Sequence, residues 1–323
     1  MNKKDILKGF SKQKKELLTF FQNQKKKGLY GPMHYIFDSE GKNIRPFFLI
    51  LIYKLYGGRK YSINSIALAI QALHNFTLIH DDIMDGAIKR RGKLTIHKKW
   101  DTNTGILSGD ALMIYSYKLL LSSKFDHKKL FKLFSNTTID ICEGQQLDID
   151  LQKKVKVSLT DYLDMIALKT GALFGLCFQI GPLLTNFNIN EQNKMRKIGV
   201  LLGQLFQIQD DYLDLYGGKK VGKQIGLDVM DNKKTYLVVI FYKIAKKQDI
   251  QDFNKSFYSK GDFKKRLIII QYLFEKYKIK DQILLKINDL INEINCIIDQ
   301  VSFSANKKKQ LKNYIKLLSN RDC

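Results

Sequence analysis

Proline is scarce in this chain. Among 323 residues it occurs only at positions 32, 46 and 182, and glycine adds only 21 more. Together these breakers fall below their ordinary usage of roughly 12%. Long stretches without them favour helices over turn-rich β architectures. Cysteine is scarce too. Cys142, Cys177, Cys296 and Cys323 show no CxxC spacing, so neither a disulfide scaffold nor a zinc finger is indicated. No uninterrupted apolar run approaches the roughly 18 residues of a membrane span, and no membrane span is expected. The opening MNKKDILKGFSKQKK lacks the apolar core of a signal peptide. A reducing cytoplasm fits these absences. No Pro/Gly/Ser-rich linker and no internal repeat divides the sequence, so residues 1–323 are read as one domain.

Acidic residues are in the minority, 31 against 55 basic ones, for a formal charge of +24. Such a charge invites a nucleic-acid reading. Arginine, however, occurs only at 45, 59, 90, 91, 196, 266 and 321; the other basic residues are lysines scattered along the chain. No RNA-binding aromatic signature accompanies them. The charge reads as a compositional bias, and no nucleic-acid partner is expected; retention on heparin at physiological salt checks this.

What is there is helical periodicity. A basic helix is expected over about 3–27. Glycines and Pro32 in GLYGPMHYIFDSEGKNIRP are expected to interrupt it, with helices resuming at Phe47 and over 63–85. A loop, GAIKRRGKLTIHKKW, follows. Further helices fit 106–121, 128–149, 160–181, 190–216 and 229–246, with a glycine- and lysine-rich loop at 217–228. Near the end, Leu284, Ile287, Ile291, Ile294, Ile298 and Val301 fall three or four apart, a core or subunit-contact stripe. No useful strand alternation competes, and the fold class is all-α.

Two acidic clusters stand out: IHDDIMDGAIKRRG, with Asp81, Asp82 and Asp85, and QIQDDYLDLYGG, with Asp210, Asp211 and Asp214. On a helix, Asp81 and Asp85 share one face about 6 Å apart. Carboxylates at the end of an apolar helix oppose its dipole, so something cationic must favour them. One such DDxxD is an ordinary exposed acidic face; two at matching helix ends point to a hard divalent cation held with substrate phosphates. Arg90 and Arg91 follow the first cluster and Arg45 lies in GKNIRP, so three of seven arginines sit beside these motifs. A guanidinium fork grips phosphate oxygens bidentately. The bland alternative is that Arg90 and Arg91 pair with the neighbouring aspartates. Acids for metal and cations for phosphate describe a diphosphate site.

The chain resembles the trans-isoprenyl diphosphate synthases, also called polyprenyl synthetases. The resemblance runs from GKNIRP through HNFTLIHDDIMDGAIKRRGKLTIH, GDAL, EGQQLDID, KTGALF and FQIQDDYLD to GKQIGLDVMDNKK. It implies a single-domain helical bundle around a deep cavity, Mg²⁺ as cofactor, isopentenyl and allylic diphosphates as substrates, and a homodimer. Asp81, Asp85 and Asp210 match the metal ligands, with Asp82, Asp211 and Asp214 as supporting carboxylates. Lys42, Arg45, His74 and Arg91 match the positions that hold isopentenyl diphosphate. Arg90, Lys169, Thr170, Gln207, Lys223 and Lys233 match those that hold the allylic diphosphate. DIDLQKK departs from the acidic continuation the family shows after EGQ, so residues 150–154 are given no catalytic weight. The loop 217–228 is read as a lid.

The same resemblance bears on product length. Bulky residues just before the first motif form the floor of the elongation cavity in this family. Phe76 and Thr77 precede Asp81 by five and four residues. An ideal helical wheel puts Thr77 nearer the Asp81 face, so the floor role of Phe76 rests on the resemblance. The first motif lacks the two-residue insertion common in bacterial short-chain enzymes. The expected product is geranylgeranyl or farnesyl diphosphate. The rivals are a longer-chain synthase for quinone side chains, a terpene cyclase, and a non-catalytic subunit.

Overall fold

The computed structural model describes residues 2–39, 41–217, 226–259 and 261–319. The chain forms two compact units, Met1–Thr138 with Leu176–Asn193 and Ile139–Gly175 with Lys194–Cys323. Both are helical. Among the described residues the only strands are a hairpin of two residues a side.

The first unit contains α1 (Lys3–Asn23), α2 (Lys27–Asp38), α3 (Ile44–Leu55), α4 (Ile63–Met84), β1 (Lys89–Arg90), β2 (Lys93–Leu94), α5 (Ile96–Lys99), α6 (Thr102–Leu121) and the start of α7 (His127–Gln152). α3 and α4 are apolar nearly all round, which marks buried helices. Ile66, Ala67, Ala69, Ile70, Ala72 and Leu73 on α4 are shielded from solvent. Their burial is the main stabilising term, at roughly 25 cal/mol per Å² of apolar surface. Polar groups within α4 pair locally, as Gln71 Nε2 does with Asn75 Oδ1 at 2.9 Å. Asp101 caps α6 by accepting the Thr104 amide at 2.8 Å.

Three expectations for this unit change. The glycine- and proline-containing stretch after α1 is not an interruption: α2 runs through Pro32. The apolar face of Met33, Ile36 and Phe37 is buried, and that packing overrides the lost hydrogen bond of a proline. α3 starts at Ile44, earlier than Phe47, because Pro46 occupies the first turn, where no amide partner is lost. The loop after the first aspartate motif contains the hairpin and α5.

The second unit contains the end of α7, α8 (Leu159–Ile166), a π turn (Ala167–Gly171), the start of α9 (Ala172–Leu184), and all but the start of α10 (Ile189–Tyr216). It continues with α11 (Leu227–Met230), α12 (Tyr236–Ile244), α13 (Lys247–Phe257), α14 (Phe263–Lys276), α15 (Ile279–Asp299) and α16 (Ala305–Ser319). Its core holds a ring cluster in which Phe253 stacks on Phe257 at 4.9 Å and lies 4.8 Å from Phe241. On α15 the buried stripe is Ile283, Ile287, Leu290, Ile294 and Ile298, with Leu284 and Ile291 at its margin.

One expectation is refined here and one changes. The helix expected over 160–181 runs as one, Leu159–Leu184, with the π turn inside it. The helix expected over 229–246 is two, because Asn232 adopts a left-handed conformation (φ 54°) that ends α11. The stretch Leu159–Leu184 is long and apolar enough to cross a membrane by length and composition, and 72% of its most apolar window is buried inside the protein. Cys142 and Cys296 are exposed and Cys177 is buried, all as free thiols.

Candidate active site

The first unit carries one half of the candidate residues. α4 ends at its aspartate motif, with Asp85 as the C-cap. Asp82 is buried and accepts from Arg90 Nε at 2.6 Å, while Arg90 Nη2 lies 3.8 Å from Asp81. Burial pushes the Asp82 carboxyl up from its ordinary value and Arg90 pulls it back. Asp81 is partly accessible and Asp85 exposed. Arg90 therefore pairs with both aspartates.

Arg91 behaves differently. It and Gly92 form the two-residue turn of the hairpin, with φ of 53° and 77°. Both angles are left-handed, as the tight turns that match strand twist require. A non-glycine residue there bears strain of about 1–2 kcal/mol. The Arg91 guanidinium lies against Gly41, where a Cβ would fall 2.7 Å from Nη1. Lys42, the next residue, is exposed. Arg45 Nη1 donates to His74 Nε2 at 3.0 Å. Because arginine can only donate, Nε2 accepts and the ring proton is on Nδ1. Burial, then the charges of Arg45, Arg91 and Arg90, lower the His74 pKa well below its ordinary value. A small cavity is lined by Tyr35, Ser39, Asp82, Arg90, Arg91 and Lys93. Phe76 is buried, its ring 4.8 Å from His80, and Thr77 donates to the His74 carbonyl at 2.8 Å.

The second unit carries the other half. Asp210 near the end of α10 is exposed and Asp214 partly so. Asp211 is buried. It accepts from Tyr162 Oη at 2.5 Å, the Tyr236 amide at 2.7 Å and Gln207 Nε2 at 3.1 Å. Burial, with the nearby charge of Asp228, pushes its pKa up to about 7. Thr170 Oγ1 donates to Gln207 Oε1 at 3.2 Å, so a chain of hydrogen bonds joins the π turn to the second motif. Asp214 accepts the Asp228 amide at 3.2 Å, and Lys233 Nζ lies 3.7 Å from the Asp228 carboxylate. Lys223 and most of the expected lid at 217–228 lie outside the described residues.

Among the described residues, no three His, Cys, Asp or Glu side chains gather closely enough to hold a metal by themselves. Within each motif the accessible donors are the two outer carboxylates. Donors of this type suit a hard cation such as Mg²⁺, which takes one or two carboxylates and completes its shell with phosphate and water.

Residues 26–271 match the family model for polyprenyl synthetase. The chain belongs to the polyprenyl synthetase family. It is similar to a geranylgeranyl diphosphate synthase of Sulfolobus acidocaldarius, 35% identical over 78% of each chain. It is also similar to a geranylfarnesyl diphosphate synthase of Aeropyrum pernix, 34% identical over 75% of this chain and 79% of that one. A crystal structure of geranylgeranyl pyrophosphate synthase superposes with a TM-score of 0.92 and 35% identity over the whole of both chains.

For this polyprenyl synthetase, sequence reading missed Asp148 and Tyr162. Asp148 Oδ2 lies 2.6 Å from Lys169 Nζ, and Tyr162 donates to Asp211. Asp148 had one local signal: it stands one helical turn after Gly144 in EGQQLD. Tyr162 had none.

Proposed function

We propose that this protein is an Mg²⁺-dependent synthase that joins isopentenyl diphosphate head-to-tail to an allylic diphosphate and stops at geranylgeranyl diphosphate. By family it is an isoprenyl diphosphate synthase, a trans-prenyltransferase acting on isoprenoid diphosphates, and that family is metal-dependent. The observation that carries the reading is the shared organisation of the two motifs. In each, the middle carboxylate is buried and tied internally, and the outer two stay accessible for a cation.

In this reading Asp81, Asp85 and Asp210 hold Mg²⁺, supported by Asp82, Asp211 and Asp214. When bound, the cation neutralises charge on the departing allylic diphosphate. Arg90, Lys169, Thr170, Gln207, Lys223 and Lys233 bind that diphosphate. Arg91, Lys42 and Arg45 bind isopentenyl diphosphate, and neutral His74 orients Arg45. Preorganised cations of this kind act where charge develops as the allylic C–O bond breaks. The double bond of isopentenyl diphosphate then forms the new C–C bond, and a proton leaves to the released diphosphate. No side chain serves as nucleophile, and water must be excluded because it would quench the cation.

The product length rests on Phe76 and on the names of the relatives. The Sulfolobus relative is named for geranylgeranyl and the Aeropyrum relative for geranylfarnesyl diphosphate. A buried ring at position 76 favours the shorter of the two. The reading extends to a homodimer, supported by exposed Leu107, Ile114 and Leu121 at seven-residue spacing on α6, and to the cytoplasm. Sedimentation tests the dimer. The activity is tested by incubating the purified protein with isopentenyl diphosphate, an allylic diphosphate and Mg²⁺. A chain-extended diphosphate is expected. A hydrocarbon made without isopentenyl diphosphate identifies a cyclase, and no turnover identifies a non-catalytic subunit. Phe76→Ala should then lengthen the product; an unchanged distribution from an active variant removes the floor assignment.

A further inference from the structure

Lys169 is held at both ends by one face of α7. The helix that carries it passes through the π turn Ala167–Gly171. Such a turn widens a helix by one residue, is rare, and persists where surrounding packing imposes it. Here two glycines bring backbone against backbone. A Cβ on Gly144 of α7 would fall 2.2 Å from the Lys169 amide nitrogen. A Cβ on Gly203 of α10 would fall 2.5 Å from Gly171 Cα and 3.1 Å from the Thr170 carbonyl oxygen. Neither neighbour can move aside, since both are main chain. Four residues after Gly144, on the same face, Asp148 meets the Lys169 ammonium at 2.6 Å. The pair is 22% and 21% exposed, shielded enough to be only partly screened by solvent.

We infer that Asp148 is a positioning residue for the allylic diphosphate: it aims the ammonium of Lys169 while Gly144 fixes the backbone beneath it. The inference rests on the synthase reading above. Lysine is a flexible point charge with four rotatable carbons, and one left to solvent must be ordered when the ligand arrives. The carboxylate of Asp148 orders it beforehand, the general advantage of preorganisation. Ammonium has three N–H groups, so its bond to Asp148 is compatible with phosphate contacts. Asp148 touches neither the reacting atoms nor, in this assignment, the metal; it acts through Lys169.

The test is a double-mutant cycle read by calorimetric binding of a non-reacting allylic thiodiphosphate in the presence of Mg²⁺, and by steady-state kinetics. Asp148→Asn keeps the shape and removes the charge. It should weaken allylic binding about tenfold, leaving KM for isopentenyl diphosphate and the half-saturating Mg²⁺ concentration unchanged. In a Lys169→Met background the same change should do almost nothing, and Asp148→Glu should recover part of the loss. Three results overturn the inference: an equal effect in the Lys169→Met background, a shifted Mg²⁺ requirement, or unchanged allylic binding in Asp148→Asn. A parent protein that does not bind the thiodiphosphate sinks the synthase reading instead, before any variant is made.

Discussion

The two aspartate motifs share a spacing but differ in how each secures its middle carboxylate. Asp82 is neutralised by a cation, Arg90, which also approaches Asp81. Among the described residues Asp211 is held by neutral donors: a phenol, an amide side chain and a backbone N–H. The consequence is electrostatic. Arg90 offsets the desolvation of Asp82, whereas among the described residues no cation offsets that of Asp211, whose pKa is pushed up to about 7. The first motif is thus coupled to an arginine hairpin, and the second to the scaffold of α8 and α12. A similar sequence pattern is built into two kinds of support.

The largest expected effects remove what the motifs have in common. Asp81→Ala or Asp210→Ala should lower turnover by roughly three orders of magnitude or more, because metal-stabilised charge develops only as the bond breaks. Neither outer carboxylate packs in a core, so the melting temperature should move by no more than about 2 °C, as for other surface changes. A double variant that turned over near the parent rate would remove the metal assignment altogether.

The next effect isolates the hairpin that follows the first motif. Arg91→Gly relieves a left-handed φ of 53° and should stabilise the fold by about 1 kcal/mol. It should also raise KM for isopentenyl diphosphate at least tenfold, a factor worth about 1.4 kcal/mol of binding. Arg91→Lys keeps the strain and the charge but loses the fork, so KM should rise with no gain in stability. If Arg91→Gly were both more stable and unimpaired, the strain would have no functional return.

A smaller effect opposes the two middle carboxylates directly. Asp82→Asn leaves Arg90 without its closest anion and should destabilise by about 1–2 kcal/mol, less than a fully buried pair because Arg90 is 32% exposed. Asp211→Asn should be nearly neutral. The asparagine oxygen can take over the bonds from Tyr162 and the Tyr236 amide, and Gln207 can flip to accept from the new NH₂. After that flip Gln207 donates to Thr170 Oγ1. Chemical denaturation of both variants reads the contrast; equal losses would erase the distinction between the two supports.

The sequence made the helices and the outer carboxylates legible because both follow local rules, the 3.6-residue period and the i, i+4 spacing. It did not reveal the π turn. ALKTG reads as ordinary helix, and the contacts beside the turn come from Gly144 and Gly203, far from it in the chain. α2 was obscured because Pro32 is a strong local breaker and the burial that overrides it is tertiary. Asp148 was passed over because its partner is 21 residues away. Arg90 was assigned to substrate on pattern alone, and its bond to Asp82 needed the hairpin geometry.

The smallest effect separates the motifs by pH. Only the first unit carries a histidine within its cationic group, His74, and burial and the charges of Arg45, Arg91 and Arg90 hold it neutral in the fold. Its folded pKa is below the ordinary value of about 6.5, so the unfolded chain binds the proton first as the medium is acidified. The stabilisation from a neutral His74 is therefore complete above about pH 6.5 and is lost as pH falls below it toward the folded value. One proton contributes at most about 1.4 kcal/mol per pH unit, so the loss between pH 6.5 and 5.5 should be about 1 kcal/mol or less. His74→Gln retains an acceptor for Arg45 but cannot be protonated. Its urea midpoint should fall less than the parent's over that interval, while the two converge in slope above pH 7. Parallel declines in parent and variant would mean that His74 does not report on the cationic cluster around it.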